Sequence, residues 1–129
     1  MKYLCMVYVD EKQLNALSKK ESDELDARSL AYDDVLRRGG HLIAAQALQG
    51  VDAATTLRIR NGKVSVTDGP FAETHEQLGG FILIDAWDLN EAIQLASKIP
   101  ASCLGCIEVR PIKELTAGNC EAPQDTHGS

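Results

Sequence analysis

The densest group of chemically versatile side chains lies in a polar stretch from Asp68 to Glu76, which opens with an Asp-Gly-Pro turn. Glu73 and His75 follow in the same stretch. Together these residues supply carboxylates and an imidazole, the groups used in general acid–base catalysis. Simple solvation also explains charged loop residues, and an Asp that opens a Gly-Pro turn needs no further role. The pattern therefore marks a candidate site without proving one.

A second imidazole, that of His41, stands at the start of a predicted strand, directly after Gly39-Gly40. Histidine is a common general acid or base near neutral pH. The structural alternative is a partly buried polar residue that caps the preceding helix or bonds the margin of the sheet. Taken alone, His41 favours that structural explanation.

The periodicity of apolar residues predicts the strands and helices that must position these side chains. Two predicted strands, at 2–9 and 81–86, are apolar on both faces, which indicates that both faces are covered. Further strands are predicted at 41–48, 55–60, 63–67 and 107–112, and Asn61-Gly62 marks a hairpin turn. Capping patterns predict a short helix after Asp10, a longer one at about 22–38, and a third from Asp88 to Pro100.

The resulting order is β-α-β, a hairpin, then β-α-β. Packing the helices on one face of the sheet gives an α+β, ferredoxin-like sandwich with an inserted hairpin. The other apolar face of strands 2–9 and 81–86 then needs a cover, because large apolar patches rarely stay exposed on a soluble monomer. We therefore expect a homodimer that pairs sheet against sheet. We expect one domain at 1–113 and a flexible, polar tail at 114–129.

Composition narrows the class of protein. The 129 residues are 44% hydrophobic and 25% charged, as expected for one soluble domain. A net charge of -6 disfavours binding to nucleic acid or to an anionic membrane surface. The apolar start ends in Asp10-Glu11-Lys12 without a small-residue cleavage site, which argues against a signal peptide. No segment approaches the roughly 20 apolar residues of a membrane span. These features predict a cytoplasmic protein.

The four cysteines at 5, 103, 106 and 120 are predicted to be free thiols. Cys103 and Cys106 have the spacing of a redox or metal motif, but they follow a helix-ending Pro100 and lead into a strand. A zinc site would require two more ligands, and the candidates Cys5, Cys120 and His127 are scattered. Phosphate loops, dinucleotide fingerprints and nucleophile elbows are missing from the sequence. We expect no metal and no cofactor.

Several separated blocks carry a resemblance to a known family. They are Asp68-Gly69-Pro70-Phe71 with Glu73-Thr74 and Glu76, Gly79-Gly80-Phe81, Gly40-His41-Leu42, Asp88-Leu89-Asn90-Glu91-Ala92, and Ile107-Glu108-Val109-Arg110-Pro111-Ile112. In this order they resemble the DGPF branch of the YCII-related family, over roughly residues 1–113. The resemblance implies a small bacterial protein with a ferredoxin-like fold that assembles as a dimeric α+β barrel.

The resemblance also implies site residues. Relatives are described as carrying a His–Asp pair in a pocket, and His41 and Asp68 fall on the matching positions. A carboxylate beside an imidazole fixes the ring's tautomer and stabilises the imidazolium. Glu73 and Arg110 are predicted secondary contacts for substrate, although Arg110 is more simply explained by an interface ion pair with Glu108. His75 departs from the family pattern, in which Lys follows Glu-Thr, so a fixed positive charge is not expected there.

Two functional hypotheses from different classes follow. The first is a cofactor-free enzyme, an isomerase, lyase or hydrolase, in which His41 is the general acid/base and Asp68 orients it. The second is a non-catalytic ligand-binding or regulatory module, because DGPF-type relatives often accompany extracytoplasmic-function sigma factors. An interaction domain without a small-molecule site is a third possibility.

Overall fold

The computed structural model of the chain describes residues 1–117. Their regular elements are listed here in chain order: β1 (Lys2–Val9), α1 (Glu11–Asn15), α2 (Lys19–Arg38), β2 (Leu42–Ala47), β3 (Thr55–Arg60), β4 (Lys63–Asp68), β5 (Gln77–Asp85), α3 (Leu89–Ala96) and β6 (Gly105–Pro111). Short 3-10 turns precede β3 and β6. No helix among the described residues is both long enough and apolar enough to cross a membrane.

Four strands form one antiparallel sheet in the order β2-β5-β1-β6, and β3 and β4 form a separate two-stranded sheet. This order, with α1 and α2 between β1 and β2 and α3 between β5 and β6, is that of a ferredoxin-like sandwich. The hairpin is inserted between β2 and β5. The predicted fold class is confirmed.

The central strand β1 separates two faces of the sheet. Its alternate residues Tyr3, Cys5, Val7 and Val9 are buried, and they pack in one core cluster with residues of α2 and α3. The intervening side chains are only partly buried, because they point to the other face, which we call the open face. The open face carries Leu4, Met6 and Tyr8 from β1, and Phe81 and Leu83 from β5.

Capping residues place the helices as their sequence pattern predicts. Ser18 and Glu21 form a reciprocal capping box, so the long helix α2 begins at Lys19, a few residues earlier than expected. It ends before Gly40, which has a φ of 81° in the left-handed region, where most residues other than glycine would be strained. Asp88 caps α3 by accepting from the backbone N–H of Glu91.

The largest error in a predicted strand boundary is at the start of β5, and β6 also begins earlier than predicted, at Gly105. The strand predicted at 81–86 begins instead at Gln77, so Gly79-Gly80 lies inside β5. The register between β1 and β5 shifts at this point, which marks a bulge. A Cβ on Gly80 would lie 2.8 Å from the carbonyl oxygen of Gln46, so the close approach of β2 requires glycine there. A double glycine thus shapes the strand rather than ending it.

The hairpin confirms the Asn-Gly prediction. Asn61 and Gly62 have φ values of 52° and 74°, the paired positive values of a type I′ turn. One face of this two-stranded ribbon carries four exposed apolar side chains, which are Leu57, Ile59, Val64 and Val66. The predicted tail at 114–129 falls mostly on residues 118–129, which lie outside the described part of the chain.

Candidate functional site

The loop between β4 and β5 is anchored at its start by the predicted turn. Gly69 has a φ of 99°, and its N–H donates to the carbonyl of Ala54 at 2.7 Å. The hydroxyl of Thr56 donates to the carbonyl of Gly69 at 2.8 Å. These bonds fix the start of the loop against β3. The loop then crosses to the end of β1, where its last residues meet Asp10.

Asp10 is the one buried charged residue of the described chain, with 6% of its surface exposed. It ends β1 and caps α1, since its carboxylate accepts from the backbone N–H of Lys12 at 3.0 Å. The side-chain amide of Gln13 donates to the same carboxylate at 3.3 Å. The backbone N–H of Asp10 donates to the carbonyl of Leu104 at 2.8 Å. The carboxylate is therefore held rigidly by local bonds.

His75 completes this arrangement from the loop. Its Nε2 lies 3.3 Å from Oδ2 of Asp10, while 80% of its side chain remains exposed. The two groups form an ion pair when the ring is protonated, but the ring N–H is not aligned on the carboxylate as a hydrogen bond. Nδ1 forms no hydrogen bond within residues 1–117. The pair therefore places an exposed imidazole beside a buried carboxylate, an arrangement that suits acid–base chemistry.

Cys106 lies beside the same loop but is poorly suited to nucleophilic chemistry. Its thiol contacts Oε1 of Glu76 at 3.2 Å, and this hydrogen bond to a carboxylate raises the pKa of Cys106 above its usual value. A thiol kept protonated is a weak nucleophile. Cys103 and Cys106 are both free and exposed. Over the described residues, no cluster of His, Cys, Asp or Glu has the form of a metal site.

A row of polar groups follows the open face along β6. Arg110 forms an ion pair with Glu108, two residues earlier on the same strand, and the hydroxyl of Tyr8 donates to Glu108 at 3.4 Å. The hydrogen bond to Glu108 raises the pKa of Arg110. The pKa of Tyr8 is also raised, chiefly by desolvation and to a smaller extent by the negative charge of Glu108. The fork of Arg110 is therefore already engaged by a carboxylate of its own chain.

His41 is held by backbone groups. The ring Nδ1 of His41 lies 2.8 Å from the carbonyl oxygen of Asp85. The backbone N–H of His41 donates to the carbonyl of Leu36 at 2.8 Å. It joins the end of α2 to the end of β5. This is the geometry expected of the structural explanation, although the Nε2 atom of the ring is left free by these bonds.

The structure does not bring His41 and Asp68 together within one chain. Asp68 is exposed and pairs with Thr55 at the base of the hairpin, past the end of β2 that lies away from His41. The six residues of β2 alone span about 20 Å. Glu73 is exposed on the loop, and it makes no ion pair within 4 Å among residues 1–117.

Comparison with known proteins now adds family membership to this geometry. The family model for the YCII-related domain matches residues 1–116. The chain belongs to the YCII-related family. An uncharacterized protein of Rhizobium meliloti (strain 1021) is 39% identical over 114 residues, which cover 87% of this chain and 92% of that protein. The predicted family is therefore confirmed over the whole ferredoxin-like domain of this YCII-related protein.

The pair of His75 and Asp10 in this YCII-related protein was missed by sequence reasoning. The sequence predicts Asp10 only as a helix cap, and it marks His75 both as the imidazole of the polar stretch 68–76 and as a departure from the family pattern, but nothing in it pairs the two residues. One signal was present, because an Asp that ends a doubly apolar strand sits at the margin of the sheet, where loops converge. The path of the loop that brings His75 there has no periodicity to reveal it.

Proposed function

We propose that this YCII-related protein performs cofactor-free acid–base chemistry on a small organic molecule. In this proposal His75 is the general acid/base and Asp10 is the carboxylate that orients it. The contact of 3.3 Å between Nε2 of the exposed ring and the buried carboxylate carries the proposal. It places a carboxylate that can stabilise an imidazolium beside a ring that is open to a bound molecule, which favours proton transfer.

The chemistry follows from the roles of the two groups. Nδ1 of His75 removes a proton from a carbon next to a carbonyl group, and the electron pair of that C–H bond moves into an enolate. Asp10 stabilises the imidazolium that forms. The imidazolium then returns the proton to another carbon in an isomerisation, or to a leaving group in an elimination. Neither route needs a redox partner.

The pair expected from the resemblance, His41 and Asp68, is a rival assignment for the same chemistry. In the described chain His41 precedes β2 whereas Asp68 ends β4 of the hairpin, so this assignment proposes a pair formed between two copies of the chain. Glu73 and Arg110 keep the role of possible secondary contacts in both assignments. The experiment below therefore includes a variant of each histidine.

We also propose that the protein is a homodimer in which the open faces of two sheets pack together. Leu4, Met6, Phe81 and Leu83 support this, because they form an apolar band across the two central strands. Sedimentation velocity tests it: Phe81→Glu should give monomers, whereas Ile93→Glu, a change at an exposed position of α3, should not. A monomeric wild-type protein would overturn this proposal.

Function is tested by proton exchange, which requires no knowledge of the complete reaction. Small carboxylic acids and lactones are screened by thermal shift, because a bound ligand raises the melting temperature. Ligands that bind are incubated with the protein in D2O, and deuterium incorporation at carbon is followed by NMR. We expect His75→Gln and Asp10→Asn to slow exchange by about 100-fold or more. His41→Gln is the matched control and should exchange at the wild-type rate.

Each outcome assigns the site. Exchange that survives in His75→Gln but fails in His41→Gln would favour the rival pair. Thermal shifts without exchange would favour the alternative of a binding or regulatory module, the type of role that the resemblance connects with sigma-factor signalling. A panel without any binding would contradict both small-molecule hypotheses.

A further inference from the structure

A cavity of about 680 Å3 lies between α2 and the helix-facing side of the sheet. Neither His75 nor Asp10 lines it, so it is separate from the proposed acid–base site. Its volume falls within the range of small-molecule sites, which is about 300–1,000 Å3.

The cavity exists because its floor is built from very small residues. Ala45 and Ala47 of β2 and Gly79 and Gly80 of β5 lie beneath it. Gly80 is fixed by the close approach of β2, where a Cβ would meet the carbonyl oxygen of Gln46 at 2.8 Å. Val7, Val9 and Ile82 complete the floor, and the small residues beside them leave depth that the helix above does not fill. The floor is therefore apolar, and small residues form much of it.

The wall of the cavity is unusual for a helix that faces a sheet. Ser22, Asp26, Ser29 and Asp33 recur at intervals of three and four residues and all line the cavity. An inward-facing stripe normally carries apolar residues that fill the core. Here Leu25 and Leu36 are the only buried residues of α2. Ser22, Ser29 and Asp33 are partly buried and Asp26 is exposed, so the polar stripe forms a wall of the cavity that is partly open to solvent.

The charge of the lining has a single sign. Asp26, Asp33 and Glu11 contribute carboxylates, and no Lys, Arg or His is among the lining residues. Asp26 and Asp33 make no ion pair within 4 Å among residues 1–117. Burial raises the pKa of Asp33 more than the neighbouring Arg37 lowers it, as expected for a partly dehydrated carboxyl group without a close cation. An added cation would relieve that cost.

We propose that this cavity binds a small organic cation, an apolar molecule that carries one protonated amine. The ammonium group lies against the carboxylate of Asp33, one helical turn from the hydroxyl of Ser29, and Asp26 adds negative charge farther along the same helix. The apolar body packs on the floor formed by Ala45, Ala47 and the two glycines. A carboxylate ligand is repelled by the same wall, and a neutral ligand gains only the apolar contacts.

The test uses three probes that share one apolar body: phenethylamine, phenethyl alcohol and hydrocinnamate. Binding is measured by isothermal titration calorimetry at neutral pH. We expect phenethylamine to bind at least about tenfold more tightly than the alcohol, and hydrocinnamate to bind most weakly. Asp33→Asn should reduce amine affinity about tenfold while leaving that for the alcohol unchanged. Asp34→Asn, the neighbouring exposed carboxylate that pairs with Arg37, is the matched control and should leave both affinities unchanged.

Two further variants locate the ligand. Ala47→Leu fills the floor and should abolish binding of both amine and alcohol, and its folding is checked by circular dichroism; Asp33→Asn carries the test if Ala47→Leu does not fold. His75→Gln should bind phenethylamine as the wild type does. Equal affinity for all three probes, no detectable amine binding, unchanged affinity in Asp33→Asn, or loss of binding in His75→Gln would each overturn the proposal. Loss of proton exchange in His75→Gln with intact amine binding would leave both proposals standing as separate sites.

Discussion

Removal of the Asp10 carboxylate is the sharpest test of the site, because each contact of that carboxylate has a known typical energy. Asp10 accepts hydrogen bonds from the backbone N–H of Lys12 and the side-chain amide of Gln13, and it lies within ion-pair distance of the ring of His75. Loss of a helix cap costs about 1 kcal/mol, and loss of a side-chain hydrogen bond costs about 0.5–1.5 kcal/mol. The contact with His75 adds at most about 1 kcal/mol, since its ring is 80% exposed.

These contributions predict that Asp10→Ala lowers the free energy of unfolding by about 2–3 kcal/mol. Asp10→Asn should cost only about 1 kcal/mol, because Asn caps a helix as well as Asp does but lacks the second carboxylate oxygen, which accepts from Gln13 and faces His75. Urea denaturation of both variants, with unchanged m-values, measures the two costs. The helix cap and the charge are thereby separated.

A double-mutant cycle with His75→Ala completes the measurement. The coupling energy between Asp10 and His75 should stay below about 1 kcal/mol, because the pair is largely in water on one side. Asp10→Asn as costly as Asp10→Ala would refute the capping argument. A coupling above about 2 kcal/mol would refute the exposed geometry of the ring.

Three other predictions rest on single contacts. Gly105→Ala should destabilise the fold by more than about 3 kcal/mol, since a Cβ there would lie 2.0 Å from a carbonyl oxygen of β1; a thermal melt close to that of the wild type would contradict it. Ser18→Ala should cost about 1 kcal/mol in urea at neutral pH, from loss of the cap on α2. The capping box holds the pKa of Glu21 below its usual value, so the contribution of Glu21 to stability is present above the unfolded-state pKa and is lost as the pH falls through the folded-state pKa. The difference between the two proteins should narrow there without closing, because the bond from the Glu21 N–H to the Ser18 hydroxyl does not titrate; a difference that widens in acid would contradict this. Glu76→Gln should lower the pKa of Cys106 and speed its alkylation at mildly alkaline pH, as measured by peptide mass spectrometry, and an unchanged rate would show that the contact does not form.

Local periodicity was enough to predict most of the fold. The strand Lys2–Val9 is predicted to its last residue, because a short segment with two apolar faces is typical of a central strand that is covered on both sides. The hairpin at Asn61-Gly62 is equally well determined, since that turn needs two positive φ values. Both signals are contained in a few consecutive residues. The start of β5 was missed for the opposite reason, because a glycine can break a strand or allow a close approach, and only the position of β2 decides which.

The candidate site was less predictable than the fold. Asp10 and His75 are far apart in sequence, and their contact depends on the path of an aperiodic loop. The resemblance directed attention to His41 and Asp68, whose residue types fit the chemistry equally well. Residue type limits what a side chain can do, but the backbone bonds of His41 to Asp85 and Leu36 show that its position is also explained by the fold. Sequence therefore supplied the chemistry, and only the three-dimensional arrangement supplied the partner.

The distribution of polarity on the open face supports the proposed dimer and limits how it can be built. The central strands β1 and β5 are apolar on this face, whereas the edge strand β6 carries Cys106, Glu108 and Arg110. An apolar centre with a polar rim is the usual composition of a protein–protein interface. A second sheet centred on Met6 and Phe81 would therefore leave Glu108 and Arg110 at the rim. There their ion pair stays in contact with water, so dimer formation carries little desolvation cost. The same placement leaves the His75–Asp10 pair at the end of the sheet rather than under its centre, so dimer formation and access to the imidazole are compatible. Consequently Phe81→Glu should dissociate the dimer without abolishing the proton exchange assigned to His75.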